Sequence, residues 1–439
     1  MTTLTDPPRE SFRLSMLLYD SRYRSMTIQI IVLFAFMLGA AWLINNARVN
    51  LALAGKDISW SFLSSPSGYD INQRLLDYDS TSTHGRAAVI GLLNTLLVAV
   101  LGCFTATVLG VLIGILRLSK NWMISRLSAL YVEAFRNVPV LLWIILTMTI
   151  MSELMPQPKD FRGDNPAASM ILFDTVAVTN RGVYIPEPLF SRGLGDYPVM
   201  ASKTPEACAS YAEGGEMEAG CGVFQISLDL WALLAVVIAS VMIAKLNTAR
   251  ANKIQAATGE RPNTLWTNIA IIFLPVIAML WFLGLYFGYP ELKGFNFRGG
   301  THLRNSLIAL WLALSLYTAA FIAEIVRAGI MAISKGQSEA AAALGLRQGR
   351  IMRLVVLPQA LRVIVPPLIS QYLNLTKNSS LAIAVGYMDI TGTLGGITLN
   401  QTGREMETLL LLMACYLIIS LTVSTVMNAY NERTKLRER

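Results

Sequence analysis

Charge is scarce in this chain. Of 439 residues, only 15% are Asp, Glu, Lys or Arg, against roughly 25% in soluble domains. That shortage excludes a set of soluble domains, whose surfaces need many more charges, and a disordered scaffold. Histidine is nearly absent. His84 and His302 are expected in outer loops, and neither has Cys or carboxylate neighbours at metal-ligand spacing, so no metal is expected. Four cysteines are too few for a disulfide framework. No G-x-x-x-x-G-K-[ST] phosphate loop occurs. The nearest fragment, Gly55-Lys56-Asp57, lacks the leading glycine and the hydroxyl, so the chain binds no nucleotide in that mode. Without a Ser-His-Asp order or a Cys-His pair, an enzyme acting alone is not expected. What is abundant is apolar side chain. Ala, Val, Ile, Leu, Met, Phe, Trp, Tyr and Cys make up 54% of the chain, and the mean hydropathy is +0.50. The fold class expected is therefore an all-α integral membrane protein.

A hydrocarbon core of about 30 Å needs about 20 apolar residues in a helix. Eight stretches meet or approach that length: Thr27–Asn46, Arg86–Leu116, Leu127–Leu154, Ser227–Leu246, Leu265–Gly288, Arg304–Ile330, Arg362–Val385 and Glu407–Met427. The seventh is the weakest, because Lys377, Asn378, Ser379 and Ser380 interrupt it. The first is expected to be an uncleaved anchor, since no small-residue cleavage site follows it.

With both termini placed in the cytoplasm, the termini and three loops on that side hold 21 of the 36 basic residues against 7 acids. The four opposite loops are longer yet hold 13 basic residues and 16 acids. This asymmetry is the positive-inside pattern. The net charge of +8 therefore marks orientation, and no nucleic-acid partner is expected. The outer loop near 155–226 is rich in proline and is not expected to be a long helix. It carries Cys208 and Cys221, twelve residues apart by count of those between them, in the compartment where disulfides persist. A disulfide between them is expected, with two free thiols as the alternative.

The most informative stretch is Gln337-Ser338-Glu339-Ala340-Ala341-Ala342-Ala343-Leu344-Gly345-Leu346-Arg347. Four successive alanines favour a short helix. Ser338 is expected as its N-cap and Gly345 at its C′ position, with Glu339 at the positive helix end. A second segment carrying Arg347, Arg350 and Arg353 on one face is expected to end at Leu357-Pro358. The alternative is a solvated amphipathic loop against lipid headgroups.

Glu339-Ala340-Ala341, three residues, Gly345, nine residues and Val355-Val356-Leu357-Pro358 resemble the EAA loop of binding-protein-dependent ABC importer permeases. The one departure is Val355 in place of the usual Ile. The resemblance implies a coupling helix that docks into a separate ATP-binding subunit, with Glu339, Ala340, Ala341, Gly345, Leu357 and Pro358 as the coupling residues. Tyr131-Val132-Glu133-Ala134-Phe135-Arg136-Asn137-Val138-Pro139 is similar to the Y-x-E-x-F-R-G-T-P motif of polar amino-acid permeases. Tyr317 to Ile330 also matches that family, and Lys377-Asn378-Ser379-Ser380-Leu381 resembles its K-x-T-S-L. The shared part implies a type I permease core of five spans, with three spans extra. A permease with such additions resembles those of the general L-amino-acid importers of Gram-negative bacteria, nearest to the first of the pair.

Read this way, the chain divides into a cytoplasmic N-terminus (1–26), an anchor and outer loop (27–85), and a first part of the permease core (86–155). A periplasmic insertion (156–226), two extra spans with loops (227–303), a second core part (304–430, with the EAA loop at 337–358) and a basic tail (431–439) follow. Ionisable groups inside spans face a cavity or a partner. Arg136, Asn137, Pro139, Glu324, Lys377, Asn378, Ser379 and Ser380 are candidates for the substrate path. Glu133 with Arg136, and Glu324 with Arg327, are candidate i,i+3 pairs, and Glu133 and Arg327 are read as structural members. Pro139 and Pro366-Pro367 are expected to loosen their helices.

The function expected is the permease subunit of an ATP-driven ABC importer of L-amino acids in the bacterial inner membrane. Its partners would be a second homologous permease, two ATP-binding subunits, a periplasmic substrate-binding protein and membrane lipid. No cofactor is expected on this chain, since ATP and Mg belong to the ATPase. The rivals are an ion-gradient-driven secondary transporter, a non-transporting membrane scaffold and an ABC permease for another small solute.

Overall fold

The computed structural model describes residues 21–53, 55, 58–76, 78–163, 166–200, 224–260 and 262–434; Cys208 and Cys221 lie outside them. The chain divides into two units, Met1–Trp60 and Ser61–Arg439. Among its described residues the first holds one long helix, α1 (Ser21–Leu53). Its apolar side chains, Phe34, Leu38 and Trp42 among them, are exposed. Apolar on every face, it is suited to lipid.

The second unit contains helices α2 (His84–Arg117), α3 (Trp122–Asn137), α4 (Val140–Glu153), α5 (Leu228–Thr258), α6 (Leu265–Phe282) and α7 (Asn305–Met331). After these come α8 (Lys335–Ala343), α9 (Gln348–Ile351), α10 (Leu357–Asn378), the short α11 (Leu399–Thr402) and α12 (Glu405–Thr434). A π-turn at Met352–Val356 joins α9 to α10, so helical structure runs from Gln348 to Val385 without a stop at Leu357-Pro358. Pro366 and Pro367 sit inside α10 and do not break it. Among the described residues, seven helices are long and apolar enough to cross a membrane, and an eighth crossing comes from α3 and α4 taken together.

That pair corrects the expected single helix over Leu127–Leu154. The axes of α3 and α4 differ by 105°. Proline removes an N–H and pushes the preceding residue out of the helical region; Val138 is extended at φ −109°, ψ 133°, directly before Pro139. Even so, the pair carries the chain between the two ends of the core. Ser125 Oγ donates to the Arg117 carbonyl at 3.1 Å, which holds α3 beside the end of α2. At the other end, Ser152 of α4 and Asn305 of α7 line one cavity.

The core lies where α2, α7 and α10 pack. Small residues let the backbones approach. A Cβ on Gly110 would sit 2.6 Å from Ile322 Cβ, one on Gly114 2.8 Å from the Ala323 carbonyl, and one on Gly102 2.9 Å from Leu375. Hydroxyls and an indole supply polar links. Trp311 Nε1 donates to Thr105 Oγ1 at 2.9 Å, the Thr105 and Ser315 hydroxyls are hydrogen-bonded at 2.8 Å, and Thr107 pairs with Tyr372 at 2.6 Å. The extra helices α5 and α6 pack on each other, with Asn247 Nδ2 donating to Asn268 Oδ1 at 2.8 Å.

The outer loops carry short strands. They are β1 (Ala177–Thr179), β2 (Gly182–Ile185), β3 (Glu187–Phe190), β4 (Asp196–Met200), β5 (Phe224–Ser227), β6 (Leu285–Gly288), β7 (Glu291–Lys293), β8 (Asn296–Arg298) and β9 (Thr301–Arg304). All pair antiparallel. β2 lies between β1 and β9, β3 pairs β6, β4 pairs β5 and β7 pairs β8. The insertion is thus stitched to the segment entering α7. The expected span Leu265–Gly288 is corrected here. It ends at Phe282, because Gly284 takes φ +66° and Leu285–Gly288 leaves the helix to pair with β3. An apolar run that short reads alike as strand or helix end.

Candidate functional site

At one end of the core, α8 begins four residues earlier than expected. Its N-cap is Ser334, and Ser338 lies within the helix. The C-terminal expectation agrees with the geometry. Gly345 takes φ +78°, Gly345 N donates to the Ala342 carbonyl at 2.9 Å and Leu346 N to the Ala341 carbonyl at 3.3 Å. This pair of bonds is a Schellman motif. Ala341 is buried against Ile351 and Val356, with Leu346 and Val355 beside them. Glu339, Ala340 and Gly345 are exposed, as are Leu344, at 83%, and Leu357, while Pro358 is half-buried. One face of α8 is therefore anchored to the helical run into α10, and the other presents small and apolar groups outward.

Above α8, one of the two i,i+3 pairs suggested by spacing forms, Glu324 with Arg327, and the other does not. Glu324 is bonded to Arg117, at the last residue of α2, and stands 3.8 Å from Arg327. One carboxylate thus ties the ends of two helices. Glu133 and Arg136 make no ion pair. The Arg136 guanidinium instead lies over the Phe321 ring, 5.3 Å from its centroid, a cation–π contact. Glu133, Arg136, Asn137, Pro139 and Lys377 are exposed. Asn378 and Ser380 are half-exposed and Ser379 is buried, its Oγ donating to the Thr376 carbonyl at 2.7 Å. Among the described residues no ion pair or hydrogen bond joins the Lys377 ammonium to another side chain. Arg117 was missed because which helix packs on which is not written in local spacing.

A second feature, at the opposite end of the core, was not foreseen. A cavity of about 390 Å³ opens among Gln73, Ser152, Asn180, Arg181, Arg304 and Asn305. The outer strands build its roof. His302 stacks on Tyr184, with centroids 4.2 Å apart, and its Nε2 lies 3.1 Å from the Arg181 carbonyl. Burial holds the His302 imidazole below its ordinary range, and the nearby Arg304 charge adds to this against the opposing bond to Arg181. Gln73 Oε1 accepts from Arg304 N at 3.1 Å. Asn94 Nδ2 donates to the Gln73 and Met388 carbonyls at 2.7 and 2.8 Å. Among the described residues, no group of three or more His, Cys, Asp or Glu is placed to hold a metal ion.

Residues 259–437 match the family described as binding-protein-dependent transport system inner membrane component. The chain is 55% identical, over 100% of both chains, to the glutamate/glutamine/aspartate/asparagine transport system permease protein BztB of Rhodobacter capsulatus. It is 42% identical to the general L-amino acid transport system permease protein AapQ of Rhizobium johnstonii, over 98% of this chain and 96% of that one. A crystal structure titled as an amino acid ABC transporter with histidines is similar over 80% of this chain and 95% of its own, with 16% identity and a TM-score of 0.41. Likeness along the whole length, joined to the helical core and the capped helix α8, places this multi-pass membrane chain in the family of binding-protein-dependent transport system inner membrane components.

Proposed function

We propose that this chain is a permease subunit of an ATP-driven importer of L-amino acids, accepting polar side chains, in the bacterial inner membrane. The observation that carries the reading is α8, a short Ala-rich helix closed by Gly345 with an exposed small-residue face at one end of the core. Such a face admits close docking of another protein's groove. The relatives' names supply the substrate class. The α8 end faces the cytoplasm, with both chain termini, in line with the basic bias of that side.

In this reading ATP and Mg bind two separate ATPase subunits, and this chain carries no cofactor. Closure of the ATPases moves α8 and, through Ala341 and the run into α10, tilts the core between outward and inward access. Arg136, Asn137 and Lys377 are exposed and Asn378 half-exposed, on helices of the two candidate spans. Charges there are costly against lipid, which supports a second homologous permease covering them and a path for zwitterions between the two chains. Pro139, Ser379 and Ser380 shape that path. Glu324, held by two guanidiniums, serves as a tie between α2 and α7. A periplasmic binding protein delivers the amino acid to the outer mouth.

Purification from native membranes through a tag on this chain tests the assembly. An ATPase and a second permease are expected in stoichiometric amounts. Isolation of this chain alone, still competent for uptake without ATP, would establish the secondary-transporter reading instead.

A further inference from the structure

The outer cavity holds polar groups that the coupling machinery does not use. Asn305 is 95% buried, the complement of its 5% exposure, and its amide orientation is set, because Nδ2 donates to the Asn180 carbonyl. That leaves Oδ1 as a buried acceptor with no partner. Asn180 Oδ1 and Arg304 Nε, on two residues that line the same cavity, are also buried without partners. Buried polar atoms without partners are rare and call for an occupant. Arg181 and Arg304 line the wall, and among the described residues no Asp or Glu does. The first turn of α7 begins here, and its N-cap, Arg304, makes no side-chain cap; free N–H groups at a helix start favour an anion.

Resting on the importer reading, we propose that this cavity is a receiving site for a free amino acid at the outer mouth. The α-carboxylate lies against Arg304 and the start of α7. The α-ammonium is taken by the amide oxygens of Asn180 and Asn305. The side chain points toward Arg181, so acidic and amide side chains are accepted and cationic ones repelled. A volume of about 390 Å³ falls in the range of small-ligand sites, about 300–1,000 Å³. Because Asn180 and Arg181 belong to the insertion, the site also gives that loop a role: it completes a selectivity filter ahead of the membrane path.

The test uses the complete importer, with its binding protein, in proteoliposomes loaded with ATP. Uptake of labelled L-glutamate and L-glutamine is compared for Arg181→Gln and Arg181→Glu. Removing or opposing a charge beside an anion should lower the glutamate-to-glutamine ratio about tenfold. Misfolding lowers both substrates together and leaves the ratio unchanged, so the ratio reads the site and total uptake reads the fold. Arg181→Glu should also raise L-lysine uptake relative to L-glutamine. Unchanged ratios in variants that still transport overturn the receiving site and leave the importer standing. Absence of ATP-dependent amino-acid uptake by the unaltered assembly overturns the importer reading itself.

Discussion

Replacing Gly345 separates two reasons for a glycine at the end of α8. The residue takes φ +78°, where a side chain costs roughly 1–2 kcal/mol and Asn costs less than other residues. A Cβ built there meets nothing within 4 Å, so within this chain the cost is backbone strain alone. That energy is a factor of about 5–30 in the population of the closed turn. With the turn open, Leu346 loses its bond to the Ala341 carbonyl, and α8 is no longer held in place against Ile351 and Val356. Substrate-stimulated ATP hydrolysis by the purified assembly should therefore fall in the order Gly345, Asn, Ala, Val, with Ala losing most of the stimulation and Asn keeping much of it. Assembly yield on a sizing column, measured in parallel, shows whether the loss is one of docking or of coupling. An alanine variant as active as the unaltered chain would refute the conformational argument. So would Asn faring worse than Ala, which would mean that side-chain volume against the ATPase decides.

Three further outcomes follow from the same geometry. Glu324→Gln leaves Arg117 and Arg327 facing each other across the α2 and α7 ends; with these groups partly exposed, the loss is about 1–2 kcal/mol, read as a lower melting temperature in detergent, and an unchanged one contradicts the tie. Gly110→Leu forces a side chain into Ile322 and the Ala319 carbonyl and should destabilise by about 1–3 kcal/mol or more, whereas Gly349→Ala, with nothing within 4 Å, should be nearly silent. His302 is held below its ordinary value of 6.5, so folding favours the neutral ring. The unfolded chain gains its proton as pH falls through 6.5 and the folded chain only lower, so this contribution is whole above that value and declines beneath it. His302→Gln should flatten melting temperature against pH in that window, and an unaltered slope would contradict the assignment.

The long apolar runs were legible because hydrophobic length is a local sum. The α8 turn was legible at Gly345, whose type alone permits φ > 0 cheaply, but its start was not, since Ser334 and Ser338 are equal as caps until packing chooses. Pro139 announced a weakness yet not a bend of 105°, which depends on Val138 adopting an extended backbone. The charges misled: i,i+3 spacing suggested Glu133 with Arg136, while the Phe321 face of α7 captured the guanidinium. Arg117 with Glu324, and the outer cavity, join residues far apart in the chain. Gln73, Asn180 and Arg304 carry no motif; the pairing of β2 with β9 and the bond from Arg304 N to Gln73 bring them together.

The most direct measurement of the central claim is uptake of labelled L-glutamine and L-glutamate into proteoliposomes that contain this chain, its partner permease and the ATPase, with binding protein added outside. Uptake is predicted to need both internal ATP and the binding protein, and to collapse when the ATPase cannot hydrolyse. Uptake that follows an imposed ion gradient with neither ATP nor binding protein present would contradict it.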